Sequence, residues 1–187
     1  TVAHLLSEVE RSKGRTEARV AGLVVEIRTR QTKNGKTMGF ATIDDKTGRL
    51  EIAAFGDKYE TYRSIFSKDT LLVAEGALAI DDFSGNLRLS VETLYSMEQA
   101  REQFARSIHI NWVVNGHQPE PGGFISDLQN ALLPFKDGNC PVGISYTSAN
   151  ASTEIQLGSD WRVHPKDELL ARLKRLPMTT GVEIKYR

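Results

Sequence analysis

The sequence predicts a five-stranded β-barrel followed by a small α+β domain, and therefore two domains. Three observations predict the barrel. Strand-like segments separated by short turns run over 20–97, the first of them is long and contains Gly22, and one helical segment follows the third strand. A glycine inside a strand is typical of a sharp bend, which the longest strand of a small barrel needs. Three strands, a helix and two strands in this order are typical of the OB-fold, although another small five-stranded barrel fits the same pattern.

Each strand of the predicted barrel ends at a turn signal. The pair Asn34-Gly35 follows the first strand and favours a hairpin, and later turns carry Asp, Asn and Gly. In the helical segment, Tyr59, Tyr62 and Phe66 fall on one face, so the period changes from strand to helix. The predicted strands are 20–28, 37–44, 49–55, 70–80 and 87–94.

The predicted domain organisation has four parts. Residues 1–19 are expected to be the end of a truncated upstream helix or a linker, and 20–97 the OB-fold domain. A connecting helix is expected at 98–107 and a C-terminal α+β domain at 108–187.

The C-terminal domain shows two helical faces between its predicted strands. Ile125, Leu128 and Leu132 form the first face, which Pro134 ends. Pro165 opens a later helix with a stripe of leucines. The strands of this domain are expected at 108–114, 142–146, 153–157 and 182–186, with a loop rich in Asn, Gly and Pro at 115–123.

Composition limits the classes of function. The 24 Lys and Arg residues equal the 24 Asp and Glu residues, so nucleic-acid binding must rest on a local basic patch. No apolar run approaches the ~20 residues that cross a bilayer, so no membrane partner is expected. A single cysteine, Cys140, fits the reducing cytoplasm, which we take as the expected location.

No catalytic, metal-binding or cofactor-binding constellation is predicted. The carboxylate pairs Asp44-Asp45 and Asp81-Asp82 stand at turns, where Asp favours hydrogen bonds to its own backbone. The four histidines lack the spacing of metal ligands. Cys140 has no local histidine partner, which favours a buried side chain over a nucleophile.

A basic cluster predicts contact with single-stranded nucleic acid. Between Ile27 and Ile43 the charged residues are all basic. In an OB-fold the loop after the first strand borders the binding groove, and single-strand binders combine such cations with aromatic rings. A basic hairpin can equally serve only to prevent strand aggregation, and the rings are also suited to the core. The predicted DNA-binding residues are Arg28, Arg30, Lys33, Lys36, Phe40, Arg49, Phe55, Phe83 and Arg88.

Several motifs resemble the alpha subunit family of bacterial DNA polymerase III. In the barrel they are VAGLVV at 20–25, TKNGK at 32–36, IDDKTGRLE at 43–51 and DDFSG at 81–85, followed by ARE at 100–102. In the second half, Leu157-Gly158, Trp161-Arg162-Val163, Pro165 and the leucine helix follow in the family's order. The resemblance covers nearly the whole chain from about residue 20.

The resemblance implies a non-catalytic C-terminal part of a DNA-directed DNA polymerase, a nucleotidyltransferase whose catalytic region lies upstream. It implies an OB domain that contacts single-stranded template weakly, and a last domain that binds the tau subunit of the clamp loader, with the sliding clamp as a neighbour. Tau would couple the polymerase to the replisome. An OB-containing protein-interaction module that binds no DNA is the alternative. The residues predicted for tau are Trp161, Arg162, Val163, Leu169, Leu170, Leu173 and Leu176.

Overall fold

The computed structural model describes residues 1–12, 14–32, 34–81, 85–114 and 121–186. The chain divides into two compact units, Thr1–Met97 and Glu98–Arg187. The first is a closed five-stranded barrel and the second an α+β unit with a four-stranded sheet, which confirms the predicted fold class. Within the described ranges, every helix is too short or too polar to cross a bilayer.

The barrel closes in the order β1-β2-β3-β5-β4, the arrangement of an OB-fold. The long strand β1 joins its two halves, because the first half of β1 pairs with β4 and the second half with β2. A register shift between Val24 and Glu26 bends this strand close to Gly22. The elements of this unit are α1 (Val2–Ser12), β1 (Thr16–Gln31), β2 (Thr37–Asp44), β3 (Arg49–Phe55), α2 (Asp57–Tyr62), β4 (Leu71–Ile80) and β5 (Leu87–Ser96).

Alternate side chains of the strands fill the barrel core. Ile43 of β2 and Leu50 of β3 are inward and buried, as the two-residue period of a strand requires. Tyr59 and Phe66 enter the same core with their rings edge to face, at a centroid distance of 5.8 Å. Gly39 leaves room for them, since a Cβ at this position would come within 2.2 Å of the Tyr59 ring. The aromatic face predicted for this helix therefore packs into the barrel.

The N-terminal segment packs with the barrel, and β1 begins at Thr16 instead of at the predicted residue 20. Val2 is fully buried in the barrel core. The β2–β3 turn caps α1, because the Asp45 carboxylate accepts a hydrogen bond from the Val2 N–H at 2.8 Å and the Thr47 hydroxyl accepts one from the Ala3 N–H at 3.2 Å. The segment predicted as a linker is thus held by a turn more than forty residues along the chain.

Asp45→Asn should weaken the barrel unit in a pH-dependent way. Hydrogen bonds, first from the Thr47 hydroxyl and then from the Val2 N–H, lower the pKa of Asp45 from 3.8 to about 2. The ionised carboxylate therefore stabilises the fold fully above the unfolded pKa, and this contribution is lost as the pH falls through the folded pKa. We expect the variant to have a lower free energy of unfolding than wild type at neutral pH. Urea unfolding followed by circular dichroism should show the difference shrinking between about pH 4 and about pH 2.

Asp69→Asn is the matched control for this measurement. Asp69 is exposed and has a φ of 63°, which asparagine tolerates. The free energy of unfolding of Asp69→Asn should equal that of wild type at each pH measured. A deficit of Asp45→Asn that persisted unchanged at pH 2 would contradict a role for the carboxylate charge.

The second unit has a sheet in the order β10-β6-β8-β9, with β6 and β8 parallel and the outer pairs antiparallel. Its core brings together Ile108 and Ile110 of the sheet with Leu128 and Leu169 of two helices. The connecting helix is shorter than predicted, because β6 already begins at Ala105. The elements are α3 (Met97–Phe104), β6 (Ala105–Val114), α4 (Pro121–Leu132), β7 (Lys136–Cys140), β8 (Val142–Ser148), β9 (Ser152–Gln156), α5 (Asp167–Lys174) and β10 (Thr179–Tyr186).

Three details of the second unit differ from the prediction. Ile125 is 55% exposed, and Phe124 takes the core position beside Leu128, because the buried face of α4 is rotated by one residue. The short strand β7 was not predicted, since its sequence, KDGNC, is polar and contains a glycine. The predicted loop 115–123 ends too late, because α4 already begins at Pro121, and residues 115–120 lie outside the described residues.

Candidate nucleic-acid interface

The outer face of β1, β2, β3 and β5 carries the candidate interface. Side chains that alternate with the core positions point away from the barrel interior, and the pairing register places them in rows across the strands. We call this surface the outer face. Its three rows are Arg30, Met38 and Phe55; Arg28, Phe40 and Ala53; and Glu26, Thr42, Glu51 and Arg88.

Phe40 lies on the outer face but is only 5% exposed. Two guanidinium groups cover it, with the Cζ of Arg28 4.8 Å and that of Arg88 5.3 Å from the ring centroid. The Phe55 ring stands edge to face against it at 6.4 Å and remains 43% exposed. Phe40 is therefore outside the barrel core, and it is also not the open stacking ring that the sequence predicted. It is an aromatic ring held under cations.

Glu51 holds both covering arginines. Its carboxylate accepts a hydrogen bond from Arg28 and another from the Nε of Arg88 at 2.6 Å. The Nη1 of Arg88 also donates to Asp81 at 2.7 Å. The two arginines differ in exposure and in their number of partners. The Arg28 side chain is 45% exposed and pairs with one of these carboxylates, whereas the Arg88 side chain is 18% exposed and pairs with both. Two cations and two carboxylates leave this part of the face without net charge.

Two grooves flank the covered ring. The larger, of about 620 Å³, lies beside the β1–β2 loop and is lined by Phe55 and three cations, Arg15, Lys36 and Lys58. Two of these cations have acidic neighbours, since Lys36 lies 3.3 Å from Asp57 and Arg15 lies 3.9 Å from Glu92. The smaller groove, of about 360 Å³, is lined by the arginines of the outer face: Arg28, Arg49 and Arg88.

Most of the predicted DNA-binding residues lie on or beside the outer face. Arg30 and Lys36 are exposed, and the exposed Arg49 pairs with Asp44 at 3.0 Å. Lys33 and Phe83 lie outside the described residues. The assignment of these side chains to DNA contact stays a prediction.

Of the predicted turn carboxylates, Asp44 and Asp45 accept hydrogen bonds from the backbone of their own turn. Asp44 accepts a hydrogen bond from the Lys46 N–H at 2.8 Å, which together with Arg49 lowers its pKa. Asp81 binds Arg88, while Asp82 lies outside the described residues. In the described part of the chain, no three His, Cys, Asp or Glu side chains are grouped to hold a metal ion.

Cys140 and His109 lie in the second unit. Cys140 is 3% exposed, and burial raises the pKa of its thiol to about 11, so the thiol stays protonated at neutral pH. His109 Nε2 lies 3.0 Å from the Ser107 hydroxyl, and its Nδ1 lies 3.8 Å from Glu154, which is beyond hydrogen-bond distance.

Burial divides the residues predicted for the protein partner into two groups. Val163, Leu169 and Leu173 are fully buried and Leu176 is 9% exposed, so these four are corrected to core positions of the second unit. The other three reach the surface: Arg162 is exposed, and Trp161 and Leu170 are partly buried. The Nζ of Lys136 lies 4.8 Å from the centroid of the Trp161 ring. A partner could therefore contact Trp161, Arg162 and Leu170 directly.

Sequence reasoning missed the acidic side of the candidate interface. Glu51 and Asp81 hold Arg28 and Arg88, two of the predicted DNA-binding residues. Two cations that line the larger groove, Arg15 and Lys58, were also not predicted as site residues. Strand alternation was the available signal for Glu51, because this residue is two positions from Arg49 on the same side of β3.

Each unit contains a segment that matches a known family. Residues 18–97 match the family described as OB-fold nucleic acid binding domain, and residues 127–176 match the C-terminal domain of DNA polymerase III subunit alpha. Proteins called DNA polymerase III subunit alpha are similar along nearly the whole chain. The one from Haemophilus influenzae is 36% identical over 89% of this chain, and the one from Pasteurella multocida 34% identical over 96%. The chain spans only 14–15% of the length of these relatives.

Solved structures of single-stranded DNA binding proteins are also similar to part of the chain. The SSB domain of a Synechococcus protein is 17% identical, with a TM-score of 0.38, and the match covers 42% of this chain and 92% of that one. The yeast mitochondrial protein Rim1 is 17% identical with a TM-score of 0.37, over 45% of this chain and 97% of that one.

Proposed function

The chain is a relative of the C-terminal part of the DNA polymerase III alpha subunit, and on that premise we propose that its barrel guides single-stranded DNA while its second unit binds the tau subunit of the clamp loader. The parent would be a DNA-directed DNA polymerase of the bacterial cytoplasm, with the sliding clamp nearby. This part would carry no catalytic step and no cofactor. It would couple the polymerase to the replisome.

The outer face is the observation that supports DNA binding. It combines arginines, an exposed aromatic ring at Phe55 and a groove of about 620 Å³ beside the basic β1–β2 loop. Single-strand binders use such a groove for the phosphates and aromatic rings for the bases. The pairing of Arg28, Arg49 and Arg88 with carboxylates favours weak binding, since each pair competes with a phosphate.

The proposal that the second unit binds tau rests on its family match and on one surface feature. The matched segment 127–176 contains Trp161, Arg162 and Leu170, the three predicted contact residues that reach the surface. Tryptophan and arginine are enriched at the energetic centres of protein interfaces.

Arg30→Glu with Lys36→Glu should weaken DNA binding. Both side chains are exposed. Lys36 lines the larger groove, and Arg30 lies in the same row as Phe55, which also lines it, so both cations can meet phosphates. Fluorescence anisotropy with a labelled oligo(dT) of about 20 nucleotides, longer than the site of one OB-fold, measures the affinity. A titration of salt should give a log–log slope that is smaller by about 1.4 than in wild type, since two contacts of about 0.7 each are lost.

Arg63→Glu with Lys68→Glu is the matched control, because it changes the net charge equally at exposed positions that line neither groove. It should leave the slope close to that of wild type. Equal losses in both double variants would move the DNA site away from the outer face. The absence of wild-type binding at about 50 mM salt would favour the alternative, an interaction module for proteins alone.

A further inference from the structure

We propose that Phe40 is a base-stacking residue which the free protein keeps covered, and that single-stranded DNA uncovers it by drawing Arg28 from Glu51 to a phosphate. This inference rests on the proposed binding of DNA by the barrel. It adds a defined opening step and names Glu51 as the residue that restrains the site.

The position of Phe40 suggests a use other than core packing. Its side chain lies on the outer face, away from the cluster that fills the barrel. The ring is 5% exposed, and Arg28, Arg88 and Phe55 lie against it. Two charged side chains are thus part of the cover; their cation–π contact with the ring is worth about 0.5–1 kcal/mol at exposed sites, less than a charge-assisted bond to a phosphate.

The two covering arginines have different roles in the opening step. Arg88 is 18% exposed and is fixed by Glu51 and Asp81, so it forms a static wall. Arg28 is 45% exposed, and its carboxylate partner is Glu51 alone in the described part of the chain. A phosphate can replace Glu51 as the partner of Arg28, so the guanidinium stays paired while the Arg28–Glu51 contact is given up. Once Arg28 moves, one side of the Phe40 ring becomes open beside Phe55.

The opened site would extend an existing aromatic surface. Phe55 is 43% exposed and touches Phe40 edge to face. A base that arrives on Phe55 thus lies next to the ring that Arg28 uncovers, and each stacked base is worth about 1–3 kcal/mol. The cost of separating Arg28 from Glu51 offsets part of this gain, which keeps the affinity of the barrel low.

Glu51→Gln tests the restraint. The variant removes the charge that holds Arg28, so its affinity for oligo(dT) should rise about fivefold, the upper range for a partly exposed ion pair. Glu17→Gln is the matched control, because Glu17 is an exposed acid on β1 that lies opposite Ala77 of β4, outside the rows of the outer face, and lines neither groove. It makes the same change in net charge and should alter the affinity by less than about twofold.

Phe40→Leu tests the stacking. It should weaken the binding of oligo(dT) at least about fivefold, whereas the binding of inorganic polyphosphate, which has no bases, should stay at the wild-type value. A thermal melt must show that the variant keeps its fold. Equal affinities of Glu51→Gln and Glu17→Gln, or an unchanged affinity of folded Phe40→Leu, would overturn this inference while leaving DNA binding intact. Failure of wild type to bind oligo(dT) would overturn both proposals.

Discussion

Gly76→Ala is expected to destabilise the barrel unit by about 3 kcal/mol, a large fraction of the roughly 5–15 kcal/mol that stabilises a typical domain. Gly76 lies in β4 where the register with β5 shifts, so that Glu92 is the extra residue on the partner strand. A Cβ at Gly76 would come within 2.0 Å of the Ser90 carbonyl oxygen and 2.9 Å of the Glu92 nitrogen. Both atoms belong to the backbone of β5, so only a shift of the strand itself relieves the clash.

The strand pair that would shift is central to the barrel. β5 pairs with β4 on one side and with β3 on the other, and the parallel β3–β5 pair closes the structure. Displacing β5 therefore weakens the closure as well as the local hydrogen bonds. Thermal unfolding followed by circular dichroism measures the effect.

Gly85→Asn supplies the control for Gly76. Gly85 has a positive φ of 69° and nothing within 4 Å of its Cβ position, so asparagine, which tolerates this conformation, should change the stability by less than about 1 kcal/mol. If Gly76→Ala melts at the same temperature as wild type, β5 shifts to accept the added Cβ. The close approach of Gly76 to the Ser90 carbonyl would then not contribute to stability.

The barrel could be predicted from the sequence because its signals are local. Strand alternation, the Asn34-Gly35 hairpin and the change of period at Tyr59 each act over a few residues, and they give the strand order of an OB-fold. The start of the first strand was missed because Thr16 to Arg19 become a strand only by pairing with β4, about sixty residues later. The polarity of this stretch gave no sign of that partner.

The candidate site was predicted less completely, since its charges are set by long-range contacts. Arg28 meets Glu51 23 residues away, and Arg88 meets the same carboxylate 37 residues away. Charges counted along the sequence do not show that these arginines are paired. The register of the strands brings both of them to the Glu51 carboxylate. The same limit applies to the leucine stripe of α5, where periodicity identifies a buried face and says nothing about a partner.

Trp161→Ala in the full chain is expected to weaken the binding of purified tau about thirtyfold or more, the range of an energetic centre of an interface. Trp161 is partly exposed and lies beside Lys136 and the exposed Arg162. A partner at this surface would therefore meet an apolar ring next to two cationic side chains. The ring packs against the core of the second unit, so its removal should also lower the melting temperature, and binding is therefore measured well below that temperature with the fold checked by circular dichroism. Surface plasmon resonance with immobilised tau measures the loss.

Two further variants separate contact from stability. Leu173→Ala removes a fully buried side chain, so it should cost about 2–5 kcal/mol of stability while the molecules that remain folded bind tau with wild-type affinity. Ile125→Ala removes an apolar side chain that is 55% exposed on α4 and should alter neither quantity. If Trp161→Ala is folded and binds like wild type, the tau site lies elsewhere on the second unit. If Ile125→Ala loses binding instead, the contact is the exposed side of α4. The partner would then bind the side chain that the sequence predicted to be buried and the structure shows to be exposed.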